Sequence, residues 1–183
     1  MFEGVYTAIV TPFRQGGGVD FDRFRELIEF QIAGGVDGIV PVGTTGVSPT
    51  LNFEEHHQVI DAAIDACRGR VKVIAGTGGN ATAEALELTE HAKASGADGT
   101  LQVTPYYNKP NLSGLVQHFA AVADVGLPVV LYNVPGRSSL EISLQAVEEL
   151  ESHEHIVAIK EAGGSVDRVS HIVRRCPTLD VLS

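Results

Sequence analysis

The segment Ile156-Val157-Ala158-Ile159-Lys160 is a short apolar run rich in β-branched residues. A run of this kind predicts a strand that is buried on both faces, as strands of parallel sheets are. Its lysine stands out, because lysine is rarely buried without a functional or pairing reason. Together with residues 161–162 it forms one of seven similar runs; the others are 5–11, 38–43, 71–77, 99–105, 128–135 and 180–183.

Helical periodicity fills the segments between these runs. Asn52, followed three residues later by Glu55, is typical of a capping box at the start of the second helix. Glycines at 35 and 96 predict helix ends that turn directly into strands. Apolar residues share one face of the first, fourth and sixth helices: Phe24, Leu27, Ile28 and Ile32; Leu115, Phe119 and Val122; Val169, Ile172 and Val173.

Strict alternation of strand and helix predicts parallel strands with right-handed crossovers. The regular spacing favours a (β/α)8 TIM barrel over a doubly wound sheet, in one β/α-barrel domain over residues 1–183. Pro41 is an exception, because proline cannot donate to a sheet. A complete barrel typically has about 250 residues, so we expect this one to be truncated within the seventh strand, with its C-terminal part missing.

The composition excludes several classes of protein. Asp plus Glu is 23 and Lys plus Arg is 13, giving a net charge of −10 without a basic cluster. This argues against nucleic acid or an anionic membrane as partner. Cys67 and Cys176 lack metal-type spacing and suggest reduced thiols. Because neither a signal peptide nor a membrane span is evident, we expect a cytoplasmic protein without a metal site.

Polar residues collect where the predicted strands end, which is where barrel enzymes carry their chemistry. Lys160 is either a lysine whose head reaches the rim or pairs with Glu161, or an amine nucleophile that burial has made easier to deprotonate. Each of the others has an ordinary structural role as its alternative: tight-turn threonines, packing tyrosines, a surface arginine. They are Thr44, Thr45, Tyr106, Tyr107, Tyr132 and Arg137.

In this order the motifs resemble the dihydrodipicolinate synthase and N-acetylneuraminate lyase family of pyruvate-dependent class I aldolases. Gly43-Thr44-Thr45-Gly46 and Ile159-Lys160-Glu161 mark the wider family. Thr104-Pro105-Tyr106-Tyr107-Asn108 and Tyr132-Asn133-Val134-Pro135-Gly136-Arg137 point to its synthase branch. The resemblance covers the whole chain.

The resemblance implies a carbon–oxygen lyase of lysine and diaminopimelate biosynthesis. It would condense pyruvate with aspartate 4-semialdehyde to give 4-hydroxy-tetrahydrodipicolinate, without metal or organic cofactor. Lys160 would form the Schiff base, and Tyr132, Thr44 and Tyr107 would relay protons, Tyr107 into a neighbouring subunit. Thr45 would hold the pyruvate carboxylate and Arg137 the carboxylate of the aldehyde.

The resemblance also implies a homodimer or homotetramer. In members inhibited by lysine, the positions matching Ser48, His56, Asn80, Glu84 and Tyr106 bind it at the tight dimer interface. Val47 stands where the family usually has glutamate. Two alternatives remain open: a related Schiff-base lyase acting on a keto-sugar acid, and an inactive truncated barrel.

Overall fold

The computed structural model describes residues 1–183 and contains a parallel sheet of seven strands. The strands are Tyr6–Ala8 (β1), Gly38–Val40 (β2), Lys72–Gly76 (β3), Gly99–Val103 (β4), Val129–Asn133 (β5), Ile156–Glu161 (β6) and Asp180–Leu182 (β7). The helices are Phe21–Ala33 (α1), Phe53–Cys67 (α2), Thr82–Ser95 (α3), Leu112–Ala123 (α4), Pro135–Ser138 (α5), Leu144–Glu151 (α6) and Val166–Arg175 (α7). A single 3-10 turn covers Ser48–Thr50.

The strands follow one another across the sheet in chain order, from β1 to β7. Each of the seven predicted runs contains one strand, and the α/β class and barrel architecture are confirmed. Curvature of the sheet brings Ala8 of β1, Leu101 of β4, Lys160 of β6 and Leu182 of β7 to one interior cavity. This is the interior of a (β/α)8 barrel as seven of its strands form it.

Side chains of β5 alternate between two cores. Val129 and Leu131 point outward into a cluster that packs against α4, α6 and α7. Val130 and Tyr132 point inward into the cluster within the barrel. Because both faces are buried, the strand has no polar face, which explains its continuous apolar sequence.

The helix-to-strand turns at Gly35 and Gly96 not only end helices but also bind the preceding strand. Gly96 has a φ of 94°, a conformation that favours glycine. Asp37, in the turn after α1, accepts a hydrogen bond from the Val5 N–H (2.7 Å) and donates its own N–H to the Val5 carbonyl (2.9 Å). Asp98 binds Val73 in the same way: its carboxylate accepts from the Val73 N–H (2.8 Å), and its own N–H donates to the Val73 carbonyl (2.9 Å). Each aspartate therefore ties the start of one strand to its predecessor.

Two details of the predicted elements change. Pro41 lies just beyond β2, which ends at Val40, so no sheet hydrogen bond is lost to it. The apolar face predicted for the last helix is only partly covered, since Val173 is 55% exposed while Ile172 is buried. Helix α7 packs chiefly on α6 and β7, and this narrow contact leaves Val173 outside. The predicted capping box of Asn52 and Glu55 is confirmed.

None of the helices combines the length and the apolar character that crossing a membrane requires.

Candidate active site

An irregularity in β6 sets the direction of Lys160. Val129 pairs with Ile156, but the next residue of β5, Val130, pairs with Ala158 instead of Val157. Strict alternation from the outward Ile156 would turn Lys160 toward the helices. The extra residue shifts the alternation, and Lys160 faces the barrel interior. Bulges beside active sites often redirect a side chain in this way.

Inside the barrel, the Lys160 ammonium has no hydrogen-bond or ion-pair partner. It lies 4.6 Å from the centre of the Tyr132 ring, in a cavity of about 130 Å³ that is mostly apolar. Burial lowers the pKa of Lys160, because the charged form loses solvation that nothing replaces. Pairing with Glu161, the alternative considered from sequence, does not occur, since Glu161 faces the helices and binds Arg168.

A second cavity, of about 200 Å³, opens at the rim above the first. Five of the residues singled out in the sequence line it: Thr44, Ser48, Tyr106, Tyr132 and Arg137. Lys160 does not line it. The two cavities meet at Leu101, which lines both, and at Tyr132, whose ring contacts the Lys160 amine. The amine therefore lies one layer below the rim.

The loop after β2 presents the two threonines. It is pressed onto the end of β3, where Gly76 leaves room for the Val42 carbonyl, because a Cβ there would lie 2.3 Å from that oxygen. Thr44 is half-buried and Thr45 is exposed. Neither hydroxyl bonds to another group of the chain. Both are therefore available to a ligand, although Thr45 does not line either cavity.

Arg137 stands at the mouth of the rim cavity on the short helix α5. Its backbone N–H donates to the Val134 carbonyl at 2.9 Å, and Ser138 fixes the next turn by bonding to Val134 and Leu140. The guanidinium is exposed and has no carboxylate partner. A fixed backbone and a free guanidinium suit the binding of an external carboxylate.

Tyr106 and Tyr107 diverge after β4. Tyr106 lines the rim cavity, and burial raises its pKa. Tyr107 is 90% exposed and has a φ of 74°, a strained value for a residue with a side chain. It points away from both cavities, so within one chain it does not join the predicted set.

Known proteins resemble this chain in both sequence and structure. The profile of the Dihydrodipicolinate synthetase family matches residues 1–183. The chain belongs to this family.

Similarity to family members is high over the whole chain. The 4-hydroxy-tetrahydrodipicolinate synthase of Geotalea daltonii is 55% identical over 184 residues, 100% of this chain and 63% of that protein. The dihydrodipicolinate synthase of Aquifex aeolicus superposes with a TM-score of 0.97 at 50% identity, over 100% of this chain and 63% of that one. A structure described as a monomeric dihydrodipicolinate synthase variant is 36% identical, with a TM-score of 0.93 over 98% and 62%. The chain thus spans slightly less than two thirds of the length of these relatives.

Four of the residues suggested as a lysine-regulatory site of the family come together in a third cavity. Ser48, His56, Glu84 and Tyr106 line it. The His56 ring nitrogen Nε2 lies 2.8 Å from the Gly76 carbonyl, and burial lowers the pKa of this histidine. Asn80 lies outside the cavity lining, and its carbonyl accepts a hydrogen bond from the Asn108 amide at 2.9 Å.

Sequence reasoning missed a polar cluster directly behind Tyr132 and Lys160. Asn133 follows Tyr132 on β5, Glu161 follows Lys160 on β6, and both side chains are buried. The Asn133 amide donates to Glu161, which also accepts from Arg168 of α7. A carboxylate and an amide ending two apolar strands were the available signal, since buried polar groups are expected to bond to one another.

Proposed function

We propose that this chain carries the Schiff-base chemistry of a dihydrodipicolinate synthase, condensing pyruvate with aspartate 4-semialdehyde to give 4-hydroxy-tetrahydrodipicolinate. One observation supports this most directly. The Lys160 amine has no partner, its pKa is lowered, and it lies 4.6 Å from the centre of the Tyr132 ring below a cavity that ends at Arg137. An unpaired amine in an apolar interior is what a lysine nucleophile requires.

The reaction begins when the free amine of Lys160 adds to the pyruvate carbonyl. Loss of water gives an iminium, which draws electrons from the methyl carbon until a proton leaves and an enamine forms. The enamine carbon then bonds to the aldehyde carbon of aspartate 4-semialdehyde, whose oxygen takes a proton. Ring closure by the amino group of that substrate displaces Lys160 and regenerates the free amine.

The neighbouring polar groups have distinct parts in this scheme. Tyr132 exchanges protons with the intermediates, and Thr44 with Tyr107 connects it to solvent. Tyr107 reaches the site of a second subunit, which accounts for its exposure and its direction. Thr45 binds the pyruvate carboxylate and Arg137 the carboxylate of the aldehyde.

The proposal extends to partners and location. Tyr107 requires at least a dimer, and we propose a homodimer or homotetramer in the cytoplasm. The related structure described as monomeric makes the oligomeric state a separate measurement. The scheme uses only side chains of this chain and its neighbour, and lysine binding at Ser48, His56, Asn80, Glu84 and Tyr106 is proposed as its regulation.

Trapping with borohydride tests the chemistry. The full chain is incubated with pyruvate and borohydride and then weighed, with Lys160→Met as the matched variant. One reduced pyruvate per chain, located at Lys160 and absent from the variant, supports the proposal. A folded sample without adduct contradicts it and favours the inactive barrel.

Substrate choice needs a second assay. Aspartate 4-semialdehyde and N-acetylneuraminate are supplied separately, and consumption of each is measured in wild type and in Arg137→Ala. We expect turnover only with the aldehyde, and a raised KM for it in the variant because its carboxylate loses the guanidinium. Cleavage of the sugar acid instead would support the keto-sugar lyase.

A further inference from the structure

Two pairs of residues lie side by side across the ends of β5 and β6. Tyr132 pairs with Lys160 and both face the barrel interior, while Asn133 pairs with Glu161 and both face the helices. We propose that Glu161, held by Asn133 and Arg168, is a positioning residue that fixes Lys160 for the reaction. This inference rests on the proposed function, and it assigns no contact with substrate to Glu161.

Glu161 is almost fully buried and receives hydrogen bonds from three different parts of the chain. The Asn133 amide donates to both carboxylate oxygens at 2.9 Å. The Arg168 Nε donates to Oε2 at 2.7 Å, and the Gly163 N–H donates to Oε1 at 2.6 Å. The side chain is 1% exposed, and that of Arg168 is 11% exposed. A buried carboxylate with this many donors is rigidly held.

The position of this carboxylate makes its rigidity relevant to Lys160. Adjacent residues of a strand point to opposite faces, so anchoring Glu161 fixes the backbone from which the Lys160 side chain leaves. The anchor also follows the bulge at Val157, which disturbs the pairing of the same strand three residues before Lys160. Tyr132 is fixed from the other side, because its neighbour Asn133 holds the same carboxylate.

The cluster also reaches the loop that carries Arg137. The Asn133 Oδ1 accepts a hydrogen bond from the Ile142 N–H at 2.9 Å, and Arg168 donates to the Ile142 carbonyl. Ile142 ends the segment that begins at α5 and includes Arg137. The carboxylate of Glu161 therefore joins the supports of both proposed substrate sites, the pyruvate site at Lys160 and the aldehyde site at Arg137.

Glu161→Gln tests the role with little change in shape. Every partner of Glu161 is a donor, so the new amide group places a donor against a donor. It also leaves Arg168 with only the more exposed Glu141, at 3.7 Å, as a charge partner. We expect the pseudo-first-order rate of pyruvate trapping at Lys160 to fall about 10-fold or more, because small misplacement of a nucleophile has large kinetic effects. Arg168→Lys keeps the charge but loses the fork, and we expect a smaller loss of about 3-fold.

A distant ion pair provides the matched control. Arg70 and Glu29 form a forked pair between the end of α2 and α1, remote from both cavities. Glu29→Gln is expected to leave trapping at Lys160 unchanged. If Glu161→Gln melts earlier but traps pyruvate at the wild-type rate, Glu161 is a structural residue only and the proposal is wrong.

A measurement without pyruvate separates this proposal from the proposed function. The pH dependence of reductive methylation reports the reactivity of the Lys160 amine, with Lys109 as the internal reference. We expect the midpoint for Lys160 to move in Glu161→Gln and in Arg168→Lys, while that of Lys109 does not. An unchanged midpoint in both folded variants overturns the positioning role, whereas failure of wild type to trap pyruvate overturns only the proposed function. If Glu161→Gln does not fold, Arg168→Lys decides.

Discussion

Polar groups at the two ends of the sheet differ in whether they are hydrogen-bonded within the chain. At the N-terminal ends of the strands, Asp37, Asp98 and Asp180 each accept a hydrogen bond from the backbone of another strand or its leading segment. At the C-terminal rim, the Arg137 guanidinium and the Thr44 and Thr45 hydroxyls have no partner in the chain. The aspartates at the N-terminal ends of the strands (the base) contribute to stability, whereas these three groups at the rim remain free for a ligand.

The largest effect is expected when the Lys160 amine, which lies between the two ends of the sheet, is removed. Lys160→Met is expected to reduce borohydride trapping of pyruvate to below roughly one thousandth of the wild-type rate. The midpoint of thermal unfolding should not fall, because burial lowers the pKa of Lys160 and its charge therefore opposes folding. Lys109→Met, which changes an exposed lysine without bonds, is the control. Marked destabilisation of Lys160→Met would mean that Lys160 also stabilises the fold.

The helix layer should make its own contribution to the pH dependence of stability. Burial lowers the pKa of His118 to about 4, whereas an unfolded histidine titrates near 6.5. Between these values only the unfolded chain binds the proton, so stability is lost as the pH falls from 6.5 to 4, by at most roughly 3 kcal/mol.

Denaturant unfolding of His118→Gln at pH 7 and pH 5 measures this contribution. The variant should lose less stability than wild type between the two values. Some dependence will remain, since burial also lowers the pKa of His56 and His57. Equal losses in variant and wild type would show that His118 does not carry the effect.

Asp98→Ala tests how much the aspartates at the N-terminal ends of the strands contribute to stability. It removes the carboxylate that accepts from the Val73 N–H, and we expect a loss of about 1–2 kcal/mol in the free energy of unfolding. Trapping at Lys160 should be unchanged under conditions where the variant is folded. Asp65→Ala removes an exposed carboxylate without a bond and serves as control. A slower trapping rate in Asp98→Ala would show that the N-terminal ends of the strands also affect the reaction at Lys160.

The smallest effect is expected at the rim itself. Val47 has a φ of 53°, which is unfavourable for a β-branched residue and well tolerated by asparagine. Val47→Asn should therefore raise stability by about 1 kcal/mol, as judged by the unfolding midpoint. Val173→Asn, at an exposed helical position, should leave it nearly unchanged, because valine and asparagine have similar helix propensities. Destabilisation by Val47→Asn would indicate that the valine side chain has a packing role.

The sequence was sufficient for the strands, the main helices and the end of the barrel where the polar residues meet. These depend on patterns within one segment, such as the apolar run before Lys160 or the capping box at Asn52. It was insufficient where the outcome depends on pairing between segments. The inward direction of Lys160 depends on a shift of pairing against Val130, and the charged partner of Glu161, Arg168, comes from a later helix.

The repeated turn shows the same limit. Its glycines indicated a helix end, but its aspartates act on residues of the preceding strand, which no local pattern reveals. The exposure of Val173 could not be predicted because helical periodicity indicates which residues share a face, and only neighbouring elements decide how much of that face is covered.

The order of the strands has a consequence for how the chain forms. Each strand pairs with the one made just before it, so every completed β/α unit has its docking edge already in place during synthesis. The hydrogen bonds of Asp37 to Val5 and of Asp98 to Val73 can form as soon as the next strand begins. Growth from one end, with mostly short sequence separations between partners, favours rapid assembly. At each stage only β1 and the newest strand present an open edge.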